Sequence, residues 1–143
     1  MPATELPDPA RIQIRHRVEW IDTDAAGIYH WTTVGRFAEA AEAALHNALG
    51  INELTFGAMP RLAVAFQFSR PLRFNDEVTV EFAVEAVGRS SVRYGVVVRD
   101  PRDAVAATGT LTTCLVDTSL GRSRPWPDHV HAALTGAGLQ TAG

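Results

Sequence analysis

The sequence holds one cysteine, Cys114, among 143 residues. No intramolecular disulfide can form, and no cysteine-based zinc site can be assembled. Basic residues are not in excess. Thirteen Lys and Arg against sixteen Asp and Glu leave a net charge of -3. That argues against a nucleic-acid partner, whose footprint is strongly basic, while a local basic turn for a phosphorylated ligand stays open. No apolar run has the length of a membrane span. The opening residues MPATELPDPA lack both the basic start and the apolar centre of a secretory signal. The expected setting is therefore cytoplasmic, away from membranes. There is no internal repeat. His129 and His131 have a spacing that suits a metal only on a strand, and in a tail they read as solvated. No metal and no cofactor is expected.

The composition is that of a globular chain, with 46% hydrophobic and 20% charged residues. The length fits one domain over residues 1–143, with loose ends at about 1–10 and 136–143. Ile12, Ile14, His16, Val18 and Trp20 alternate with polar residues, the pattern of a half-buried strand. From about Trp31 the period becomes helical, with Val34, Phe37, Ala38, Ala41, Leu45 and Ala48 on one stripe and Gly50 placed to end it. Residues 51–60 read as loop. Alternating runs follow at Leu62–Phe68, Val78–Val84, Val92–Val98 and 104–117, separated by turn residues. A short helix is expected from Pro127 through Leu134.

One strand, one long helix and four strands in meander give an α+β fold, a curved antiparallel sheet of about five strands wrapped around one central helix. Alanines on nearly every side of the helix allow close approach from all around. Val96, Val97, Val98, Leu111, Leu115 and Val116 are then expected to form a second apolar sheet surface without cover, which implies oligomerisation.

Between the first strand and the helix lies Asp22-Thr23-Asp24-Ala25-Ala26-Gly27-Ile28-Tyr29-His30-Trp31. Two carboxylates and a glycine precede a helix start, where unpaired N–H groups carry partial positive charge. Such an end can hold an anion or a developing oxyanion. The plainer reading is a decorated helix cap.

A second block has its own pattern: Phe66 through Pro71, then Asn75-Asp76-Glu77-Val78, then Val87-Gly88-Arg89-Ser90-Ser91. With Asp22 through Ile28 and Phe37-Ala38-Glu39-Ala40-Ala41, it resembles the hotdog-fold acyl-CoA thioesterases, specifically the 4-hydroxybenzoyl-CoA thioesterase family, over about residues 12–118. The resemblance implies hydrolysis of a thioester, with Asp24 as nucleophile or general base. It puts the oxyanion donor at the Trp31 N–H, with Gly27 letting the loop approach. The expected pocket draws on Ile28, Tyr29, His30, Phe56 and Met59, and Tyr29, Trp31 and Phe56 lean toward a bulky or aromatic acyl group. Arg89, Ser90 and Ser91 are the expected CoA-binding turn, with Arg70 and Arg73 as further candidates. Glu39 is the fallback catalytic carboxylate, and Asp22 is expected to brace the loop. The family also implies a homodimer and suggests a homotetramer. A carrier-protein thioester, or an acyl ligand bound without catalysis, are the alternatives. The sequence departs from the family in carrying its histidine at His30, one residue before the aligned position, and Thr33-Val34-Gly35 ahead of the Phe37 segment.

Overall fold

The computed structural model describes residues 6–143. In chain order it contains β1 (Arg11–Arg17), α1 (Thr33–Leu49), the single turn α2 (Asn52–Thr55), β2 (Arg61–Phe68), β3 (Glu77–Val87), β4 (Ser91–Arg99) and β5 (Val105–Cys114). A small hairpin, β6 (Val116–Asp117) with β7 (Arg122–Ser123), leads to α3 (Asp128–Gly136) and β8 (Leu139–Gln140).

One sheet has the order β2-β5-β4-β3-β1-β8, antiparallel throughout except for the parallel β1–β8 pair. The expected four-strand meander is corrected here. Only β3, β4 and β5 follow one another. β2 pairs with β5 and forms an edge. The reason lies in residues 69–76, whose one tight turn, closed by the Asp76 N–H on the Arg73 carbonyl, comes only after the chain has left β2 behind. Ser69 and Arg70 donate their N–H groups to the Ala106 carbonyl, and the Leu72 carbonyl accepts from Tyr29. The chain is carried across to the far side of the sheet and tied to the acidic loop on the way.

The alternation in the sequence runs on to Trp20, but the strand stops at Arg17. Val18 and Asn75–Asp76 exchange backbone hydrogen bonds, and Trp20–Asp22 form one 3-10 turn. Trp20 and Ile21 therefore point outward, 79% and 80% exposed. α1 begins at Thr33 instead of Trp31 and buries Val34, Phe37, Ala38, Ala41 and Leu45 along one stripe. Each such large side chain contributes about 1.5–3 kcal/mol by burial. Gly50 ends the helix at φ +71° and donates to the Asn47 and His46 carbonyls.

α1 lies mainly on β1 and β3 and reaches β4 through His46 and Tyr94. Its opposite side, including Glu39, Ala43 and Asn47, stays exposed, so the helix is not wrapped on all sides by its own chain. The expected uncovered surface is likewise corrected. Val96, Val98, Leu111 and Leu115 are buried and belong to the core, with the half-buried Val97 and Val116 beside them. Within the sheet the exposed large apolar residues cluster on β2, where Leu62, Val64 and Phe68 are 61%, 49% and 48% exposed. Phe66 alone folds inward, over Gly109, where a Cβ would fall 2.3 Å from the Phe66 ring.

The ends expected to be loose are tied to each other. Asp8 and Ala10 donate to the Thr135 and Leu134 carbonyls, Gly138 donates to Asp8, and β8 extends the sheet beside Arg11 and Ile12. Residues 1–5 of the expected loose end lie outside the described residues. No helix is long and apolar enough to cross a membrane among the described residues.

Candidate active site

The acidic loop turns on Gly27, whose φ of +78° is strained for any side chain. Gly27 donates to the Asp24 carbonyl at 3.0 Å, Asp24 donates to the Ile28 carbonyl at 2.8 Å, and Thr23 bridges Tyr29. Within this turn Asp24 Oδ1 accepts the Ala26 N–H at 2.8 Å. The Asp24 side chain is exposed, and its Oδ2 has no hydrogen-bond partner among the described residues. One oxygen fixes the rotamer while the other has no partner in the chain. Asp24, Thr23, Ala25 and Gly27 line a groove of about 520 Å3 whose other walls are Trp20, Ile21 and Phe74.

Asp22 has a different environment. It is 2% exposed. Arg36 Nε and Nη2 donate to its two oxygens at 2.7 and 2.6 Å, and the Glu19 N–H donates at 2.8 Å. Burial works against its charge, but the Arg36 hydrogen bond, the Glu19 N–H and the Arg36 charge outweigh it and hold its carboxyl below the ordinary aspartate value. The Asp22 carbonyl accepts from the His30 N–H and from Thr33 Oγ1. Asp22 thus ties the loop to the first turn of α1 from both its side chain and its backbone, and its burial closes the carboxylate to a substrate.

At the helix start, Tyr29, His30 and Thr33 donate their N–H groups to Leu72, Asp22 and His30 carbonyls. His30 Nδ1 accepts the Thr32 N–H at 3.3 Å and lies 2.8 Å from Thr32 Oγ1. His30 therefore acts as a cap, with its ring tilted against Trp31 at 5.7 Å. The Trp31 N–H has no acceptor among the described residues. Tyr29 is a core residue, its ring 6.0 Å from Phe68 and its hydroxyl donating to the Ala106 carbonyl at 3.4 Å. Burial raises its phenol above the ordinary value. Ile28 is half-buried and bridges Arg73.

The remaining expected residues are not brought to this place within one chain. Phe56, 91% exposed, and Met59 lie near the other end of α1, about 25 Å away along a 17-residue helix. They line a cavity of about 890 Å3 with Glu39, Ala43 and Asn47. Its floor is polar and closed. Arg61 forms a two-pronged pair with Glu42 at 2.8 and 2.7 Å. Thr55 donates its hydroxyl proton to the Ile51 carbonyl, so His46 Nδ1–H donates to Thr55, and His46 Nε2 accepts from Tyr94. Burial lowers the His46 value and pushes the Tyr94 hydroxyl well up, so both are neutral. Arg89, Ser90 and Ser91 form the β3–β4 turn at that same end. The Ser90 carbonyl accepts from Leu115, and Trp126 donates to the Arg89 and Ser91 carbonyls.

Trp20, Ile21 and Phe74 went unrecognised in the sequence, because Trp20 completes a strand pattern and Phe74 sits in an ordinary turn. Two aromatics flanking the paired carboxylates were the available signal. The His46–Tyr94–Thr55 chain carries no local signal, since its members are up to 48 residues apart.

The sequence profile of the thioesterase-like superfamily matches residues 17–134, the greater part of the chain. The chain belongs to that superfamily. It is a thioester hydrolase with the hotdog fold. The fold recurs in a 1,4-dihydroxy-2-naphthoyl-CoA thioesterase from Synechocystis, with a TM-score of 0.79 at 14% identity over 88% of this chain and 96% of that one. A thioesterase from Thermus thermophilus, solved with coenzyme A and zinc, gives 0.77 at 23% identity over 85% and 95%. A predicted thioesterase from Bacillus stearothermophilus gives 0.79 at 22% identity over 87% and 94%. At these identities the structures speak for the fold alone. No curated protein sequence matches the chain. Among the described residues of this hydrolase, no three His, Cys, Asp or Glu side chains gather as metal ligands.

Proposed function

We propose that this single-domain hydrolase cleaves acyl-CoA thioesters in the cytoplasm, with Asp24 as its catalytic carboxylate. The observation that carries the reading is the division of labour on Asp24, with Oδ1 held by the Ala26 N–H and Oδ2 unclaimed. The unclaimed Trp31 N–H at the start of α1 supports it as the oxyanion donor. In direct attack, Oδ2 bonds to the thioester carbon, the C–S bond breaks, and the thiolate leaves and takes a proton from water. Water then opens the mixed anhydride to the acid and restores Asp24. In the alternative, Asp24 takes a proton from the attacking water. The coenzyme A thioester named for the Synechocystis fold relative, and the coenzyme A bound in the Thermus one, support CoA as the carrier.

The site is made by two chains. The open β2 edge, with its exposed Leu62, Val64 and Phe68, pairs with the same edge of a second copy. That pairing sets the second chain's Phe56 and Met59, and its Arg89-Ser90-Ser91 turn, against the first chain's Ile28, His30 and Asp24. Glu39 of the second chain lies in the same cavity wall.

The test is free-thiol release from a panel of acyl-CoA thioesters, together with subunit mixing. Asp24→Asn homodimers and Phe56→Ala/Met59→Ala homodimers should both be inactive. Mixed and re-equilibrated in equal amounts, they should recover roughly a quarter of wild-type activity through heterodimers with one intact site. Absence of recovery, or a fully active particle of one chain's mass in light scattering, would refute the two-chain site.

A further inference from the structure

The groove that holds Asp24 has walls unlike the rest of the surface. Trp20 and Ile21 are almost wholly exposed, and Trp20 stands edge-on to Phe74 at 5.5 Å and 87°. Large apolar side chains grouped on a surface mark an occupant. These three line the same groove as Thr23, Asp24, Ala25 and Gly27. A thioester carbonyl in reach of Asp24 therefore directs one of its two substituents along the Trp20–Phe74 wall. We propose that this substituent is the thiol-side arm, the flexible, amide-bearing pantetheine chain, and that Trp20, Ile21 and Phe74 are its subsite in the same chain as Asp24. The inference rests on the thioesterase reading above and extends it to which side of the substrate lies where.

Three features favour the arm over the acyl group. The groove is open along its length, which suits a chain that keeps its amides in water while its methylenes and amide faces lie on aromatic rings. The acyl group has a deeper alternative in the cavity of Phe56 and Met59, which the paired arrangement supplies from the second chain. Charge is also complementary. Seven of the thirteen basic residues pair with carboxylates, but Arg73 has no ion pair among the described residues. Arg73 immediately precedes Phe74 and is backbone-paired with Ile28. A guanidinium without an ion pair, next in sequence to the Phe74 wall, suits the phosphate-bearing end of a CoA arm together with the second chain's Arg89 turn.

The experiment compares Trp20→Ala and Phe74→Ala with wild type on three substrates sharing one acyl group: the CoA thioester, the pantetheine thioester, and a p-nitrophenyl ester that has no arm. KM for both thioesters should rise about tenfold, and kcat/KM for the ester should stay within about twofold. Trp20→Phe should restore most of the loss. Light scattering should give an unchanged mass. Free CoA should quench tryptophan emission in wild type and in Asp24→Asn and at least twofold less in Trp20→Phe, where Trp31 and Trp126 remain, which keeps the test open if an alanine variant fails to fold. Equal losses on thioesters and ester would assign the wall to the acyl group and overturn the proposal. No loss on any substrate, or a smaller particle showing that the wall is an assembly contact, would also overturn it. Failure of the underlying reading looks different: wild type cleaves no thioester, or Asp24→Asn keeps its activity.

Discussion

The two ends of α1 handle their polar groups in opposite ways. At the carboxyl end the buried polar side chains His46, Thr55 and Tyr94 are all partnered. Gly50 closes the helix on Asn47 and His46, His46 is held between Thr55 and Tyr94, and Arg61 grips Glu42 with both prongs. At the amino end the brace is equally complete, since Asp22, Arg36, Thr33 and His30 bind one another. Two groups beside it are left over: Asp24 Oδ2 and the Trp31 N–H. A folded chain normally satisfies its buried polar groups; these two are exposed to water, which the substrate replaces in the function proposed above. Under that proposal the comparison separates residues that hold the site from residues that act in it.

The strongest way to break that separation is Asp24→Asn. It is nearly isosteric and keeps the Ala26 hydrogen bond, but it can neither attack nor accept the proton. Turnover should fall at least a hundredfold, about 2.7 kcal/mol of barrier, with the melting temperature unchanged. Retention of a tenth of wild-type kcat would transfer the role to Glu39.

His46→Ala probes the closed end. It opens a cavity and leaves Tyr94 and Thr55 without their partner, so stability should fall by about 3 kcal/mol in chemical denaturation. The kcat per folded chain should hold. Asp22→Asn should lower stability by a smaller amount, about 2 kcal/mol, because Arg36 is half-exposed and regains water when the pair is lost. Most activity should remain. Loss of turnover without loss of stability would mean the two aspartates have been read the wrong way round.

Acidity sharpens the comparison further. The folded value of His46 lies below its ordinary 6.5, so the folded state prefers the neutral ring. Its contribution is fully present above about pH 6.5 and is lost as pH falls through and below that value. Melting temperature should drop from pH 7 to pH 5 in wild type, and less steeply in His46→Ala. The smallest expected effect is at His16, whose buried Nε2 has no hydrogen-bond partner and whose ring lies 5.1 Å from Phe37. His16→Leu should change stability by no more than about 1 kcal/mol, toward stabilisation.

Much of this was legible in residues whose meaning is local. Alternation marked β1 and the β3–β5 meander, the helical stripe from Val34 to Leu45 marked the buried face of α1, and Gly50 marked its end. The DTDxxG loop pointed to a site only together with the second block, since on its spacing alone it reads as a decorated helix cap. What was hidden depends on who sits next to whom. Alternation in β2 says that one face is apolar, but not that the strand lies at an edge beyond the helix. Trp20 keeps the strand rhythm while the backbone has already turned, because Val18 is tied to Asp76. Leu139 and Gln140 have no strand pattern and pair only because the tail is drawn in by Asp8.

That last pairing has a consequence for crowded conditions. A sheet with two bare rims invites further sheets at either side and can grow into a fibre. Here β8 lies across the start of the β1 rim, and the uncovered part of that strand carries Arg15 and Arg17. Only the β2 rim offers a long apolar border. A body with one sticky border, joined to its like by a two-fold axis, uses up that border on both sides in a single step. In the pairing proposed above, growth ends at the pair, and the chain stays dispersed without a dedicated cap.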